Sequence, residues 1–165
     1  MTEEIKAILE KANCDKHKTK EFLNRLKKRK IKNLDLAFQS LHDEVFEEIN
    51  CLDCSNCCSS ISPIISHRDI ERMAKALRIS PSQVIEKYLH IDEDNDYVYN
   101  DTPCPFLLSD NYCSIYENRP KACREYPHTD RSRIHQLLNL TYKNTLVCPA
   151  VYLIVNRLST QKEFL

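Results

Sequence analysis

A chain of 165 residues with 42% apolar content is long enough to bury a core as one domain. Lys+Arg and Asp+Glu balance at 24 each, so the overall charge gives no ground for a nucleic-acid or anionic-membrane partner. The sequence has no glycine, which excludes a P-loop and a G-x-G-x-x-G phosphate cradle. Its turns must rest on Asn, Asp, Ser or Pro, of which Asn and Asp best tolerate the left-handed region. The longest aliphatic–aromatic run, Val151 to Val155, is far short of a membrane span, and the polar start lacks the apolar stretch of a signal peptide. The expected address is the cytoplasm, where thiols stay reduced and can ligate metal.

Residues 1–50 read as helical. Ile5, Ile8, Leu9 and Ala12 recur on one face, with Thr2 in place as a cap. A second helix is predicted from Lys20 to Lys30 around Phe22, Leu23 and Leu26. A third follows Asn33 and repeats Leu34, Phe38, Leu41, Val45 and Ile49, delivering the chain to Cys51. Beyond an irregular connector at Ser59–Pro63, Ser66 caps a helix carrying Ile70, Met73, Ala74 and Leu77. Ser80-Pro81-Ser82-Gln83 is a capping box with Pro at the first helical position, opening a helix that buries Val84, Ile85, Tyr88 and Leu89.

Tyr97-Val98-Tyr99 is a short strand candidate. Phe106–Leu108 and Tyr112–Tyr116 flank Ser109-Asp110-Asn111 and read as a hairpin turning without glycine. Pro120 opens a short helix holding Cys123, and Pro127 closes it. The stretch from Cys148 to about Leu158 is again helical. The expected fold is mainly α with a small β-hairpin, a single compact domain organised around a cysteine-rich metal site. Within it, 1–50 is an N-terminal helical segment, 51–150 the cysteine-cluster metal-binding region, and 151–165 a C-terminal helix packing on the same domain.

The chemistry lies in the cysteines. Cys51-x-x-Cys54-x-x-Cys57-Cys58 packs four thiols into eight residues, and Cys104, Cys113, Cys123 and Cys148 follow at wider spacing. Thiolate suits zinc, copper(I) and iron–sulfur clusters, and C-x-x-C lets two sulfurs reach one centre. The ferredoxin run C-x₂-C-x₂-C with a distant Cys-Pro has a parallel here in Cys104-Pro105 and Cys148-Pro149. Two Cys₄ zinc sites would use the same eight thiols, so the metal stays open between an iron–sulfur cluster and zinc. Neighbouring side chains diverge by about 100° on a helix, so Cys57 and Cys58 are expected to serve two centres or to leave one thiol outside the coordination. Arg68, Arg119, Lys121 and Arg124 lie near the cysteines in sequence and are suited to offset thiolate charge and donate to sulfur.

The ordered motifs CLDCSNCC, PCPFL, CSIYENRPKACREYPHTD and VCPA resemble the cysteine-cluster (CxxCxxCC, YkgJ-like) family, to which zinc or iron chelation or an iron–sulfur centre is ascribed. The resemblance runs from about Cys51 to Pro149. It implies Cys51, Cys54, Cys57, Cys58, Cys104, Cys113, Cys123 and Cys148 as metal ligands and marks Arg119, Pro120 and Arg124 as motif positions. The family has Gly after the second cysteine, where this chain has Ser55, which bears on the local loop geometry.

Other features carry less. Cys14 falls outside every motif and reads as a structural or surface thiol. His128 and His135 read as capping or surface residues rather than ligands. Asp92–Asp96 begins like a calcium loop, but Tyr97 and Pro103 occupy the positions that need Gly and Glu, so that reading is rejected. Neither G-x-S-x-G nor H-E-x-x-H occurs. The run from Lys16 to Lys32 holds nine Lys/Arg against Glu21 alone, a helix face open to a protein partner. The leading expectation is a metal-binding protein with a cysteine-ligated iron–sulfur or zinc centre. The alternatives are an iron–sulfur-dependent redox or group-transfer enzyme and a structural zinc scaffold for a protein or RNA partner.

Overall fold

The computed structural model of the chain describes residues 1–29 and 31–164. In chain order its helices are α1 (Glu3–Cys14), α2 (Lys16–Lys28), α3 (Leu34–Glu48), α4 (Cys51–Cys54), α5 (Asn56–Ser60), α6 (His67–Leu77), α7 (Pro81–Tyr88), α8 (Lys121–Glu125), α9 (Leu138–Thr145) and α10 (Pro149–Leu158). Strands β1 (Leu89–Ile91) and β2 (Tyr97–Tyr99) form one antiparallel pair between α7 and α8. The chain is thus mainly helical with a two-stranded hairpin, as the sequence predicts. Backbone contacts divide it into two compact units: unit 1 is Met1–Cys54 with Pro127–Leu165, and unit 2 is Ser55–Tyr126.

Unit 1 starts where the patterns place it. Thr2 caps α1 by accepting the Ile5 N–H at 3.3 Å, and Glu3 and Glu4 complement the positive helix end. α2 begins earlier than predicted, at Lys16; its predicted end, Lys30, lies outside the described residues. Phe22, Leu23 and Leu26 of α2 and Leu34, Phe38, Leu41 and Val45 of α3 are buried in one core with Ala150, Val151, Ile154, Val155 and Leu158 of α10. Such burial contributes about 25 cal/mol per Å² of apolar surface removed from water.

α9 and the 3₁₀ turn before it, Ile134–Leu137, have no counterpart in the sequence reading. A long-range cap explains them. The Asp35 carboxylate, in the first turn of α3, accepts the N–H groups of Arg133 at 2.6 Å and Ile134 at 3.0 Å. That cap starts the turn, and Ile134 and Leu138 then join the core.

Unit 2 has its own core of Ile65, Ile70, Met73, Ala74, Val84, Leu89, Tyr99, Phe106 and Ile115, with Cys104 and Cys113 packed against it. Ser66 and Asp69 form a capping box on α6, and Ser80 and Gln83 form one on α7. The predicted strand Tyr97–Tyr99 exists, but its partner is Leu89–Ile91. Asp92–Asp96, rejected above as a calcium loop, is the turn between them: the Asp92 Oδ1 accepts the Asp94 and Asp96 N–H groups at 3.0 and 2.9 Å, and Asn95 is left-handed. The expected hairpin around Ser109-Asp110-Asn111 shrinks to a single bridge, Leu107 to Cys113.

The lack of glycine leaves six described residues at positive φ: Ser55, Arg78, Asn95, Asn111, His128 and Arg133. Asn95 and Asn111 follow the expectation. Arg78, His128 and Arg133 do not, and only tertiary context holds such residues there.

Candidate metal centre

α3 ends at Glu48 and the chain re-enters a single helical turn, α4, which places Cys51 and Cys54 three residues apart on one side. Cys51 is exposed and Cys54 is buried. At Ser55 the backbone turns left-handed, with φ 48° and ψ 12°, and a new short helix, α5, carries Cys57 and Cys58. This is where the related family places Gly, and the conformation explains why: a side chain costs about 1–2 kcal/mol there. The serine is held in place, since its hydroxyl donates to Asn111 Oδ1 at 2.9 Å and its carbonyl accepts from Ser59.

The turn at Ser55 therefore separates the knot. Cys51, Cys54 and Cys148 belong to unit 1, whereas Cys57, Cys58, Cys104, Cys113 and Cys123 belong to unit 2.

In unit 2 the backbone brings three segments together. The Cys104 N–H donates to the Cys58 carbonyl at 2.8 Å, and the Leu107–Cys113 bridge returns the chain past Cys104. α8 supplies Cys123. Burial pushes the Cys104 thiol up to about 11 and Cys123 up to about 12; Cys58 and Cys113 add to both, and Cys104 also adds to Cys123. Cys113 is raised by burial and by Cys58. Cys58, Cys104, Cys113 and Cys123 thus lie within electrostatic reach of one another, a four-thiol set drawn from four points of the chain.

Cys57 stands beside this set. Its Sγ is 4.0 Å from that of Cys58, so divergence of adjacent side chains does not keep the two sulfurs apart. Two thiolates on one zinc, each about 2.3 Å from the metal in tetrahedral geometry, would be ~3.8 Å apart. The Cys58 thiol is lowered to about 7, first by the hydrogen bond with Cys57, against burial, and further by the positive charge of Arg119.

In unit 1, Cys148 occupies the N-cap position of α10 without a side-chain cap bond. Burial pushes its thiol up to about 12, with Cys51 and Cys54 adding to the rise, so the three thiols share one neighbourhood. The two Cys-Pro pairs are built alike. The backbone N–H groups of Phe106 and Leu107 lower the Cys104 thiol against its burial, and those of Val151 and Ala150 do the same for Cys148; the Leu107 N–H itself donates to the Cys104 carbonyl at 3.0 Å. Proline has no N–H of its own, and its fixed φ favours the turn that follows each cysteine. N–H donors of this kind favour the thiolate form that a metal needs.

Neither the eight predicted ligands nor exposed Cys14 form a disulfide among the described residues. Among the described residues no three His, Cys, Asp or Glu side chains already stand in an arrangement that could hold a metal ion. The donor set fits a soft metal or cluster: thiols grouped by fours and threes, backbone N–H donors and a nearby cation.

The Arg119 charge lowers the Cys58 thiol; Arg68, Lys121 and Arg124 are exposed. His135 Nε2 donates to the Lys27 carbonyl at 2.8 Å on the surface, which accounts for it without a metal. The sequence reading passed over the support behind Arg119. Buried Asp69 accepts the Lys121 N–H at 2.9 Å and pairs with Arg72, whose guanidinium also donates to the carbonyls of Asn118 and Arg119. The capping-box position of Asp69 was the signal available; its second role is visible only in three dimensions.

α2 buries Phe22, Leu23 and Leu26 while Lys16, Lys18, Arg25, Lys27 and Lys28 face solvent. Among the described residues no helix is long and apolar enough to cross a membrane.

Residues 50–149 match the family model CxxCxxCC, described as a "putative zinc- or iron-chelating domain", which covers more than half of the chain. No curated protein and no solved structure matches the chain significantly.

Proposed function

The chain belongs to the CxxCxxCC family of zinc- or iron-chelating domains, and from that membership we propose that it holds a cysteine-ligated iron–sulfur or zinc centre. Cys58, Cys104, Cys113 and Cys123 are its ligands in unit 2. The observation that carries this reading is the backbone tie between Cys104 and Cys58, 2.8 Å long, within a set of four mutually perturbed thiols. Four sulfurs complete a tetrahedral zinc site or the ligand shell of one cluster. Cys51, Cys54 and Cys148 in unit 1 are three further ligands, and Cys57 is the alternate partner of Cys58.

Bound zinc would order these loops as a structural ion, and a bound cluster would add electron transfer. The residues themselves do the rest. The N–H groups after each Cys-Pro pair and the Arg119 charge favour the thiolate forms, and the buried core beside Cys104 and Cys113 limits water.

The test is metal and sulfide analysis of protein purified with and without oxygen. Iron with equimolar sulfide identifies a cluster, and zinc without sulfide identifies a zinc site. Either should fall sharply in Cys104→Ser and Cys123→Ser. Protein that folds normally and carries no metal from either preparation defeats the reading.

A further inference from the structure

α2 and α9 pack against one another within unit 1, and an open groove runs between them. Buried Leu23 and Leu138 form its floor, and its volume is about 360 Å³. Binding clefts commonly measure roughly 300–1,000 Å³. Two contacts cross the groove and set its direction. Lys27 Nζ donates to Asn139 Oδ1 at 3.4 Å, and on the N-terminal side Lys20 Nζ stands 5.7 Å from the centre of the Tyr142 ring. The helices are therefore antiparallel here, and Lys20 and Lys27 are about 10 Å apart along α2.

The rim carries charge of one sign. Lys20 and Lys143 line the groove with Asn24 and Asn139, and no acidic residue lines it. Lys16, one turn before Lys20, continues the same edge of α2. Lys16, Lys20, Lys27 and Lys143 have no ion-pair partner among the described residues. Elsewhere the chain does pair its cations: Arg157 bonds Glu44 and Glu48, and Arg72 bonds Asp69. A chain of zero net charge has thus gathered an uncompensated positive field on one helix. Leu146, 39% exposed, adds an apolar contact on the stripe of Asn139, Tyr142 and Lys143.

Positive edges over an apolar floor complement a segment with carboxylates on its flanks and an apolar side chain at its centre. Two helices with a groove between them suit a third helix laid along it. Single-stranded nucleic acid is instead gripped by stacking bases on aromatic faces. The aromatic ring that lines this groove, Tyr142, already carries Lys20 over its face. A peptide fits the surface better than RNA does.

We propose that the α2–α9 groove is a docking site for an acidic amphipathic helix of a protein partner. Its apolar side chains pack over Leu23 and Leu138, and its carboxylates pair with Lys20 and Lys143. No cysteine lines the groove, so docking there does not require the metal centre.

The probe is a fluorescein-labelled synthetic helix with Glu on both flanks of a Leu stripe, titrated with full-length reduced protein and followed by anisotropy. Binding should weaken with added salt and when serine replaces the peptide leucines. Lys20→Glu combined with Lys143→Glu should bind roughly 10-fold more weakly, as expected for reversing two exposed ion pairs. Lys18 and Arg25 are exposed on the far side of α2, ~140–160° from Lys20 at 100° per residue. Lys18→Glu combined with Arg25→Glu makes the same change in charge and should lose less than ~3-fold. Equal losses in the two double variants overturn the site, because they reduce it to general surface charge. Absence of wild-type binding, or indifference to the peptide leucines, overturns it too. A uridine oligonucleotide that binds as tightly and is released by the groove variant gives the surface to nucleic acid instead. A dimer of the free protein that the groove variant dissolves gives it to a second copy. Thermal melts check that each variant folds. If the Glu variants do not, Gln at the same paired positions decides by the same comparison.

Discussion

Asp69→Ala tests the chain of contacts that fixes the 118–121 segment beside the cysteines. The carboxylate is 2% exposed and has four partners: the Ser66 N–H at 3.1 Å, the Ser66 hydroxyl, the Lys121 N–H at 2.9 Å and the Arg72 guanidinium. Alanine leaves the two backbone N–H groups without their acceptor, at about 1–3 kcal/mol each where water cannot reach them. The Arg72 side chain is 28% exposed, so water recovers part of its loss and its share is correspondingly smaller. We expect a total of about 3–4 kcal/mol, or roughly 10 °C in melting temperature for a chain of this length. The assay is thermal and urea unfolding of metal-free, reduced protein followed by circular dichroism. A loss below ~1 kcal/mol would refute the clamp. Titration provides a second check. Burial alone would raise the Asp69 carboxyl, but the Ser66 hydrogen bond, the Lys121 and Ser66 N–H groups and the Arg72 charge outweigh it and hold it below the ordinary value of 3.8. The unfolded chain therefore binds this proton first as pH falls. The stabilisation is present in full above about pH 5 and is lost as pH drops through the lowered folded value. The stability gap between wild type and Asp69→Asn should narrow over the same range. A gap that widens in acid contradicts the assignment.

Ser55 offers a balance of two effects: Ser55→Ala loses the bond to Asn111 and keeps the left-handed strain, costing about 1 kcal/mol. Ser55→Gly loses the same bond but relieves that strain, so it should fall within ~0.5 kcal/mol of wild type; urea midpoints showing glycine below alanine would count against this. Cys14→Ser should retain full metal content and stability, because Cys14 is exposed at the end of α1 and outside both thiol groups; a drop in bound metal on elemental analysis would bring it into a site. Replacing Lys16, Lys18 and Lys28 by Glu should change stability by less than ~0.5 kcal/mol and leave metal content unchanged, since all three are exposed. Deleting α2 is not an equivalent test, because Phe22, Leu23 and Leu26 would leave the core with it.

Helices with a strong apolar period or a complete cap were legible from sequence. α1, α6 and α7 formed at the predicted residues because Thr2, Ser66 and Ser80 act on donors three positions away, and α3 formed on its apolar period with no side-chain cap at Asn33. The 3₁₀ turn before α9 was not legible, because its cap is Asp35, about a hundred residues upstream. The predicted strand Tyr97–Tyr99 was correct, yet its partner is set by the Asp92–Asp96 turn rather than by the later Ser109–Asn111 turn. Arg119 could be placed near the thiols by proximity in sequence alone. Its stacking on Tyr116 and the Arg72 bond to its carbonyl are contacts that no spacing rule predicts.

The sequence by itself determined the chemistry: eight clustered thiols, two Cys-Pro pairs and membership of a chelating family need no coordinates, because ligand type and local spacing are properties of the chain. Which compact unit each thiol falls in was decided only by tertiary structure. A left-handed Ser55 divides one unbroken motif, leaving Cys51 and Cys54 with Cys148, and Cys57 and Cys58 with Cys104, Cys113 and Cys123. The physical reason is that coordination requires sulfurs to be close in space, and over separations of fifty or a hundred residues that closeness is set by which cores the intervening helices fill.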